Sequence, residues 1–374
     1  MQPRVTQIRD DLTAAQVESL IRDEPAIVVG RGMELIDRGL SVQDDLTPYL
    51  RDCTTSRDNQ ATLHGHCSFT LAQKIDYGKA VVRPYVTISN GVITAKFYQG
   101  AYFTSTPQTV TDTMPATYAV EGYDILNALN RLVGDSFSVA AGDTYLGAVE
   151  SILLNQGYSQ YVIDPVRQAT TVPAALAWPL DDQTTWLMVV NKLLTAIGYR
   201  PIYSDWFGRL ICENNVDATS QIAEWKYDRG LYTGQLVPGQ VITHDFFDTP
   251  NRWVGIQSNV AATGVTPSEG NGVFVYENVT DGETSQEARD QVITKVMQVP
   301  AADQSALESA VMAQVAADKV VATTMDASTS INPLHWHMDV ISVDTIELGL
   351  VKMAVGKWSM DLKTGRMTHS WATL

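Results

Sequence analysis

Asn90-Gly91 lies between two runs of β-branched and aromatic residues, Tyr85-Val86-Thr87-Ile88 and Val92-Ile93-Thr94-Ala95-Lys96-Phe97-Tyr98. Asparagine followed by glycine adopts positive φ angles at little cost, so the stretch predicts two antiparallel strands joined by a two-residue turn. A lone hairpin is not stable in water; its edges and one face must be covered by further strands. Upstream, Ala61, Leu63, Gly65, Cys67, Phe69 and Leu71 fall on one side of an extended segment. Thr62, His64, His66, Ser68 and Thr70 fall on the other, which is the period of a half-buried strand. Gly100-Ala101-Tyr102-Phe103 begins another strand. Short strands at this spacing close into a small barrel or sandwich.

The period then changes. Asp143-Thr144 is placed to cap a helix carrying Leu146, Val149, Ile152 and Leu153 inward, with Gly157 at its end. Asp182-Gln183-Thr184-Thr185 precedes a second helix with Trp186, Val190, Leu193, Leu194 and Ile197, ended by Gly198; Asp182 occupies the place of an N-cap. Arg200-Pro201-Ile202-Tyr203 and Arg209-Leu210-Ile211-Cys212 follow as a hairpin around Ser204-Asp205-Trp206-Phe207-Gly208. Strand signals return at 251–256 and 272–276. Ser285-Gln286-Glu287-Ala288 opens a helix, and a longer one over 305–322 turns Leu307, Val311, Val315 and Val320 inward and Glu308, Gln314 and Asp318 outward. Four strands close the chain, at 340–346, 348–355, 358–362 and 366–371, the last two joined by Lys363-Thr364-Gly365. The expected class is α+β. The expected order is a β domain at 1–118, an α/β domain at 119–224 and a second β domain at 225–374 with a helical insertion at about 284–325.

Composition narrows the function. With 42 acidic and 26 basic residues the 374-residue chain carries a net charge of −16, the opposite of a phosphate-gripping surface. No apolar run is long enough to span a bilayer, and Met1-Gln2-Pro3-Arg4-Val5-Thr6 lacks the apolar core of a secretory signal. Cys53, Cys67 and Cys212 are too few and scattered for a disulfide framework, which fits synthesis in a reducing cytoplasm.

Local motifs give little chemistry. Gly30-Arg31-Gly32 follows apolar Ala26-Ile27-Val28-Val29, but Ile36 stands where a dinucleotide-binding motif needs its third glycine, so the segment reads as a turn. His64-Gly65-His66 puts two imidazoles on the polar face of a strand, as expected of a solvated or interface face. His335, His337 and Asp339 are the sharper set. In extended backbone they project to one side, and three such ligands suit an open hydrolytic zinc site. Against this, Asn332-Pro333 reads as a turn, and spacing supplies ligand types without the groups that orient them. Asp44-Asp45 and Asp181-Asp182 read as solvated turn or cap residues, not glycosidase carboxylates. Trp178, Trp186, Trp206 and Trp225 read as core. No catalytic residue, cofactor or metal is expected.

The order of segments resembles the tail hub proteins of tailed bacteriophages, also called baseplate hub or minor tail proteins. Leu63-His64-Gly65-His66-Cys67 through Asp76-Tyr77-Gly78, Val82-Arg83-Pro84-Tyr85, and Phe97-Tyr98-Gln99-Gly100-Ala101-Tyr102-Phe103 are similar to the first barrel of that family. Val120-Glu121-Gly122-Tyr123-Asp124 resembles its exit into the α/β domain. Asp182-Gln183-Thr184-Thr185-Trp186-Leu187 to Ile197-Gly198-Tyr199, then Ser204 to Leu210, resembles its helix-plus-hairpin core. Asn332-Pro333-Leu334 and Met338-Asp339-Val340-Ile341-Ser342-Val343 resemble the entry into its closing strands.

The resemblance implies that 1–118 and 225–374 are two small β-barrel domains and that the chain is a non-enzymatic homotrimer at the virion tail tip, a pseudo-sixfold ring around a channel that DNA passes without specific binding. Its implied partners are a distal tail or tail tube protein, a tape measure protein and a tail spike or fibre protein. Because the chain ends at Leu374, soon after the last strand, spike, fibre or enzyme is expected as a separate protein. Two alternatives stay open: a metal-dependent cell-wall hydrolase using His335, His337 and Asp339, and a receptor- or glycan-binding tail module using exposed aromatics.

Overall fold

A computed structural model describes residues 12–22, 27–110, 116–216, 218–228, 236–244, 249–257, 268–282, 284–299, 304–321 and 323–374. Strands predominate and helices are few. The N-terminal part holds α1 (Ala14–Arg22), β1 (Val28–Ile36), β2 (Val42–Asp45), β3 (Leu50–Asp58), β4 (Gly65–Leu71), β5 (Val81–Ser89), β6 (Thr94–Tyr98), β7 (Tyr102–Val110) and β8 (Thr117–Asp124). The middle holds β9 (Phe137–Val139), α2 (Tyr145–Asn155), β10 (Tyr161–Ile163), β11 (Leu176–Trp178), α3 (Trp186–Ala196), β12 (Tyr203–Ser204) and β13 (Leu210–Cys212). Then come β14 (Trp225–Tyr227), β15 (Leu236–His244), β16 (Arg252–Gln257), β17 (Ser268–Glu269), β18 (Gly272–Glu277), α4 (Gln286–Arg289), β19 (Thr294–Val299) and α5 (Gln304–Val321). β20 (Thr323–Ser330), β21 (Val340–Thr345), β22 (Gly349–Asp361) and β23 (Arg366–Thr373) complete the chain.

One sheet of fourteen described strands joins the two ends of the sequence, in the order β15-β20-β23-β22-β3-β4-β8-β7-β5-β1-β2, with β6 on β5 and β14 on β21 beside β22. The seam between the halves is β3 against β22, with Thr54–Asp58 antiparallel to Lys357–Asp361. β22 reads in the sequence as two strands, 348–355 and 358–362, but it is continuous. A bulge between Val355 and Lys357 replaces the expected break, and there β22 changes neighbours: β21 pairs before it and β3 after it. Asn59 fastens the bulge, its backbone N–H donating to the Gly356 carbonyl and its Nδ2 to Val355 O. One apolar core runs through both halves, from Phe69, Val86 and Phe97 to Trp336, Trp358 and Trp371.

The Asn90-Gly91 hairpin forms, with a different turn. Ser89 pairs with Thr94, so four residues make the connection. Asn90 Oδ1 accepts from the N–H groups of Val92 and Ile93, folding the loop over its own side chain while Gly91 takes φ +88°. The strand expected over 61–71 begins at Gly65; Cys67, Phe69 and Leu71 face the core as the alternation requires. Gly30-Arg31-Gly32 is not a turn. Both glycines lie inside β1, paired with Thr87 and Tyr85 of β5, and a Cβ at either would collide with the partner side chain.

α2 and α3 form as read, capped by Thr144 and Thr185, whose hydroxyls accept from the N–H of Gly147 and Met188. Asp182 is not the cap. Asp181 accepts from the N–H groups of Gln183 and Thr184, holding the approach to the helix, and this keeps its carboxyl below the usual range. The two helices share a second core with β10 and β13, where Leu153, Val190, Leu194 and Leu210 are fully buried. β13 runs antiparallel to β12 and parallel to β10.

α5 packs on a separate sheet, β17-β18-β16-β19. Leu307, Val311 and Val315 are buried against Trp253, and Gly255 lets the helix approach, since a Cβ there would strike Val311. Asp318 does not face solvent as expected. It accepts from Trp253 Nε1 at 2.8 Å and from Lys295 Nζ at 2.8 Å, locking helix to sheet. Val320 and Ala322 lie outside the described side chains. No described helix is long and apolar enough to cross a membrane.

Candidate functional site

Charged residues stand where the strand alternation calls for apolar ones. In β3, Cys53, Thr55 and Arg57 share the buried face, and in β8, Val120, Gly122 and Asp124 do the same. Arg57 and Asp124 meet beside β12 and the 332–339 loop, where the N-terminal strands, the α/β unit and the closing strands converge. Arg57 Nη1 lies 3.8 Å from Asp124 Oδ2, and Nη2 donates to the Ser204 carbonyl at 3.1 Å. Trp336 Nε1 donates to that same carbonyl at 2.8 Å, and the guanidinium lies over the Trp336 ring at 4.5 Å. Asp124 also accepts from Ser204 Oγ at 2.9 Å and from Leu126 N at 3.0 Å. Burial pushes the Asp124 carboxyl upward, against the pull of Arg57 and of the donors from Leu126, Ser204 and Gly65.

Gly65 sits close against this carboxylate; a Cβ there would lie 2.8 Å from Asp124 Oδ2. That places His64 and His66 differently from the shared polar face expected of them. His64 precedes the strand and is buried, its ring 4.7 Å from that of His337. His66 is half-exposed on β4 and its Nε2 is 2.7 Å from Glu121 Oε2. Burial, with a smaller push from Arg57, takes His64 down to about 3.

The zinc-like set is not extended. Residues 332–339 form a turn-rich loop, with Met338 at φ +56°. His335 and Asp339 approach, Nδ1 to Oδ2 at 3.6 Å, but His335 Nε2 is engaged by the Tyr227 hydroxyl at 2.6 Å. Asp339 Oδ2 accepts from the Trp336 N–H at 2.8 Å, closing the loop. His337 turns elsewhere and stacks on Tyr203 at 4.4 Å. Burial, then Arg57, His64 and Arg200, hold it far below the usual histidine range, so it is neutral. Among the described residues no three histidine, cysteine or acidic side chains are grouped to hold a metal ion.

Beside His337 opens a cavity of about 450 Å³ between the α/β unit, residues 221–224 and the 337–339 loop. Arg57, Asp124, Ser204 and Trp336 were not singled out by motif. Their signal is the charge in the apolar phase of β3 and β8, and it becomes visible only once strand register is known. Trp178, Trp206 and Trp225 are buried as expected, whereas Trp186 is only half-buried against the second core; Asp44 and Asp45 are exposed, but they end strand β2 and do not form a turn.

No family model matches the sequence, and no curated protein does. Solved structures share the fold. The tail protein from Neisseria meningitidis MC58 superposes with a TM-score of 0.64 at 11% identity, over 92% of this chain and 96% of that one. The 43 kDa tail protein of prophage MuSo2 from Shewanella oneidensis gives 0.62 at 11% identity, over 92% and 98%. The lidded Francisella PdpA-VgrG complex gives 0.57 at 10% identity, covering 94% of this chain and 53% of that chain.

Proposed function

We propose that this chain is a structural hub protein of a bacteriophage tail tip, without catalytic activity. The observation that carries the reading is the near end-to-end likeness of fold to two tail proteins, each covered over more than nine-tenths of its length. The buried Arg57–Asp124 seam supports a rigid framework. In this reading the units at 1–118 and 225–374 act as two barrel-like modules flanking the α/β unit at 119–224. Three chains then present six similar modules to a sixfold tail tube above and a threefold spike or fibre below. Tube or distal tail protein, tape measure protein and spike or fibre are the partners.

The net charge of −16 suits a ring whose lumen DNA must traverse, because phosphates passing acidic walls are not captured. Light scattering and negative-stain imaging of the purified chain, alone and mixed with its tube and spike partners, test the proposal. A species of about 123 kDa, three copies of 41.0 kDa, seen as a threefold ring with a central hole supports it. A chain that stays monomeric under all these conditions overturns it.

A further inference from the structure

We propose that the open edge of β19 is a docking site to which another protein of the tail adds an extended, uncharged segment as one more strand. β19 pairs with β16 along one side and, among the described residues, with no strand along the other. Its six residues, Thr294–Val299, contain no proline, and the pairing with β16 runs without a bulge. Its one charged side chain, Lys295, turns toward α5 and is held by Asp318 at 2.8 Å. A row of peptide groups is left facing outward with nothing to deter a partner strand.

The chain guards the other ends of its two larger sheets. At one end of the fourteen-stranded sheet, β2 is only four residues long and finishes in the exposed pair Asp44-Asp45. At the opposite end β15 carries Pro238 inside a bulge, and Gln240 Nε2 folds back to donate to the Val237 carbonyl at 2.7 Å. β17, the far edge of the four-stranded sheet, has two residues. Short length, charge, proline and bulges are the devices that keep strand edges apart, and β19 has none of them.

The side chains specify the segment. Trp253 and Gly255 face α5, so Val254 and the residues paired with it lie on the opposite face of the sheet. There Val275, Val254 and Val296 form one row across three strands, and Val296 ends it at 60% exposure. Val273, Ile256 and Gln298 make the row on one flank. Glu277, Arg252 and Thr294 make the row on the other, with Arg252 and Glu277 paired at 2.9 Å. A fourth strand that extends these rows places a β-branched or aromatic residue beside Val296 and hydroxyl or amide side chains beside Thr294 and Gln298. Main-chain hydrogen bonds supply the affinity of such an added strand, and its alternate side chains supply the selection. The inference rests on the structural reading only in taking the occupant from the tail.

The test is hydrogen–deuterium exchange of the full chain, read by mass spectrometry, with the probe N-acetyl-Thr-Thr-Val-Thr-Thr-amide. Exchange over 294–298 should slow several-fold and saturably, half-maximal on the order of 1 mM, while other segments keep their rates. The same peptide N-methylated at its three central residues keeps the side chains but loses the donors, and should give no slowing. Val296→Lys, at an exposed position, should weaken the probe about tenfold and leave exchange elsewhere unchanged. The proposal falls if 294–298 does not slow, if the slowing maps elsewhere, or if the methylated peptide protects equally well. It also falls if 294–298 is protected without peptide in proportion to chain concentration, because a second copy then holds the edge. The experiment needs only the isolated chain, so its failure is distinct from a failure of ring assembly.

Discussion

Arg57 and Asp124 offer a sharp test of what holds the three parts of the chain together. Both are almost fully buried, at 2% and 1% exposure. Asp124→Asn keeps an oxygen for the Leu126 N–H but removes the charge opposite Arg57 and turns an amide toward Ser204 and Gly65. Breaking a buried pair from one side costs about 3–5 kcal/mol, because the remaining charge stays out of water. Arg57→Met strands Asp124 instead, and that carboxyl has an escape. Its affinity for a proton is already raised by burial and rises further without Arg57. A carboxyl raised in the folded state takes up a proton on folding, so its destabilising effect shrinks as pH falls through the folded value. Arg57→Met should therefore be milder at pH 5 than at pH 8, whereas Asp124→Asn, which leaves a guanidinium, should change little. The double variant should lie within about 1–2 kcal/mol of wild type, well short of the two losses summed. Urea unfolding followed by tryptophan fluorescence reads this directly, since Trp336 packs under the guanidinium. Single losses below about 1 kcal/mol, or losses that simply add, would refute the reasoning.

Acid should weaken the fold through the buried histidines. His64, depressed to about 3, binds fewer protons folded than unfolded, so its contribution is present above about pH 6.5 and is lost as pH falls toward 3. From pH 7.5 to pH 5 that amounts to about 2 kcal/mol; equal pH slopes in urea midpoints for wild type and His64→Asn would contradict it. Gly255→Ala should cost about 1–3 kcal/mol by forcing α5 off its sheet. Differential scanning fluorimetry checks this, and an unchanged melting temperature would mean the helix is free to shift.

What the sequence made legible was whatever is governed by neighbours in the chain. Thr144, Gly157 and Gly198 bound their helices through a local hydrogen bond and a left-handed backbone, and Cys67, Phe69 and Leu71 alternate as a strand must. Two misreadings are local, the four-residue loop that Asn90 folds over its own side chain and the cap at Thr185 in place of Asp182; the others have non-local causes. Gly30 and Gly32 look like turn residues, but the need for them comes from Thr87 and Tyr85 on another strand. The break placed between Val355 and Trp358 is a bulge whose reason is Asn59, a distant residue. His335, His337 and Asp339 share a spacing, yet Tyr227 and Tyr203 separate them, and no spacing rule carries that information. Arg57 and Asp124 went unnoticed because a charge becomes anomalous only when its strand face is known to be buried.

The bulge in β22 has a consequence during synthesis. β3 emerges from the ribosome early, but β22, which covers its free edge, is the last strand but one to be made; the side chain of Asn59 bonds a carbonyl 296 residues further on. At about 5–20 residues per second, that edge waits roughly 15–60 s for its partner. Throughout that interval the nascent chain presents an open row of amide and carbonyl groups to every neighbour on the same polysome. A chaperone that shields β-edges should therefore matter more to the yield of this protein than to its final stability.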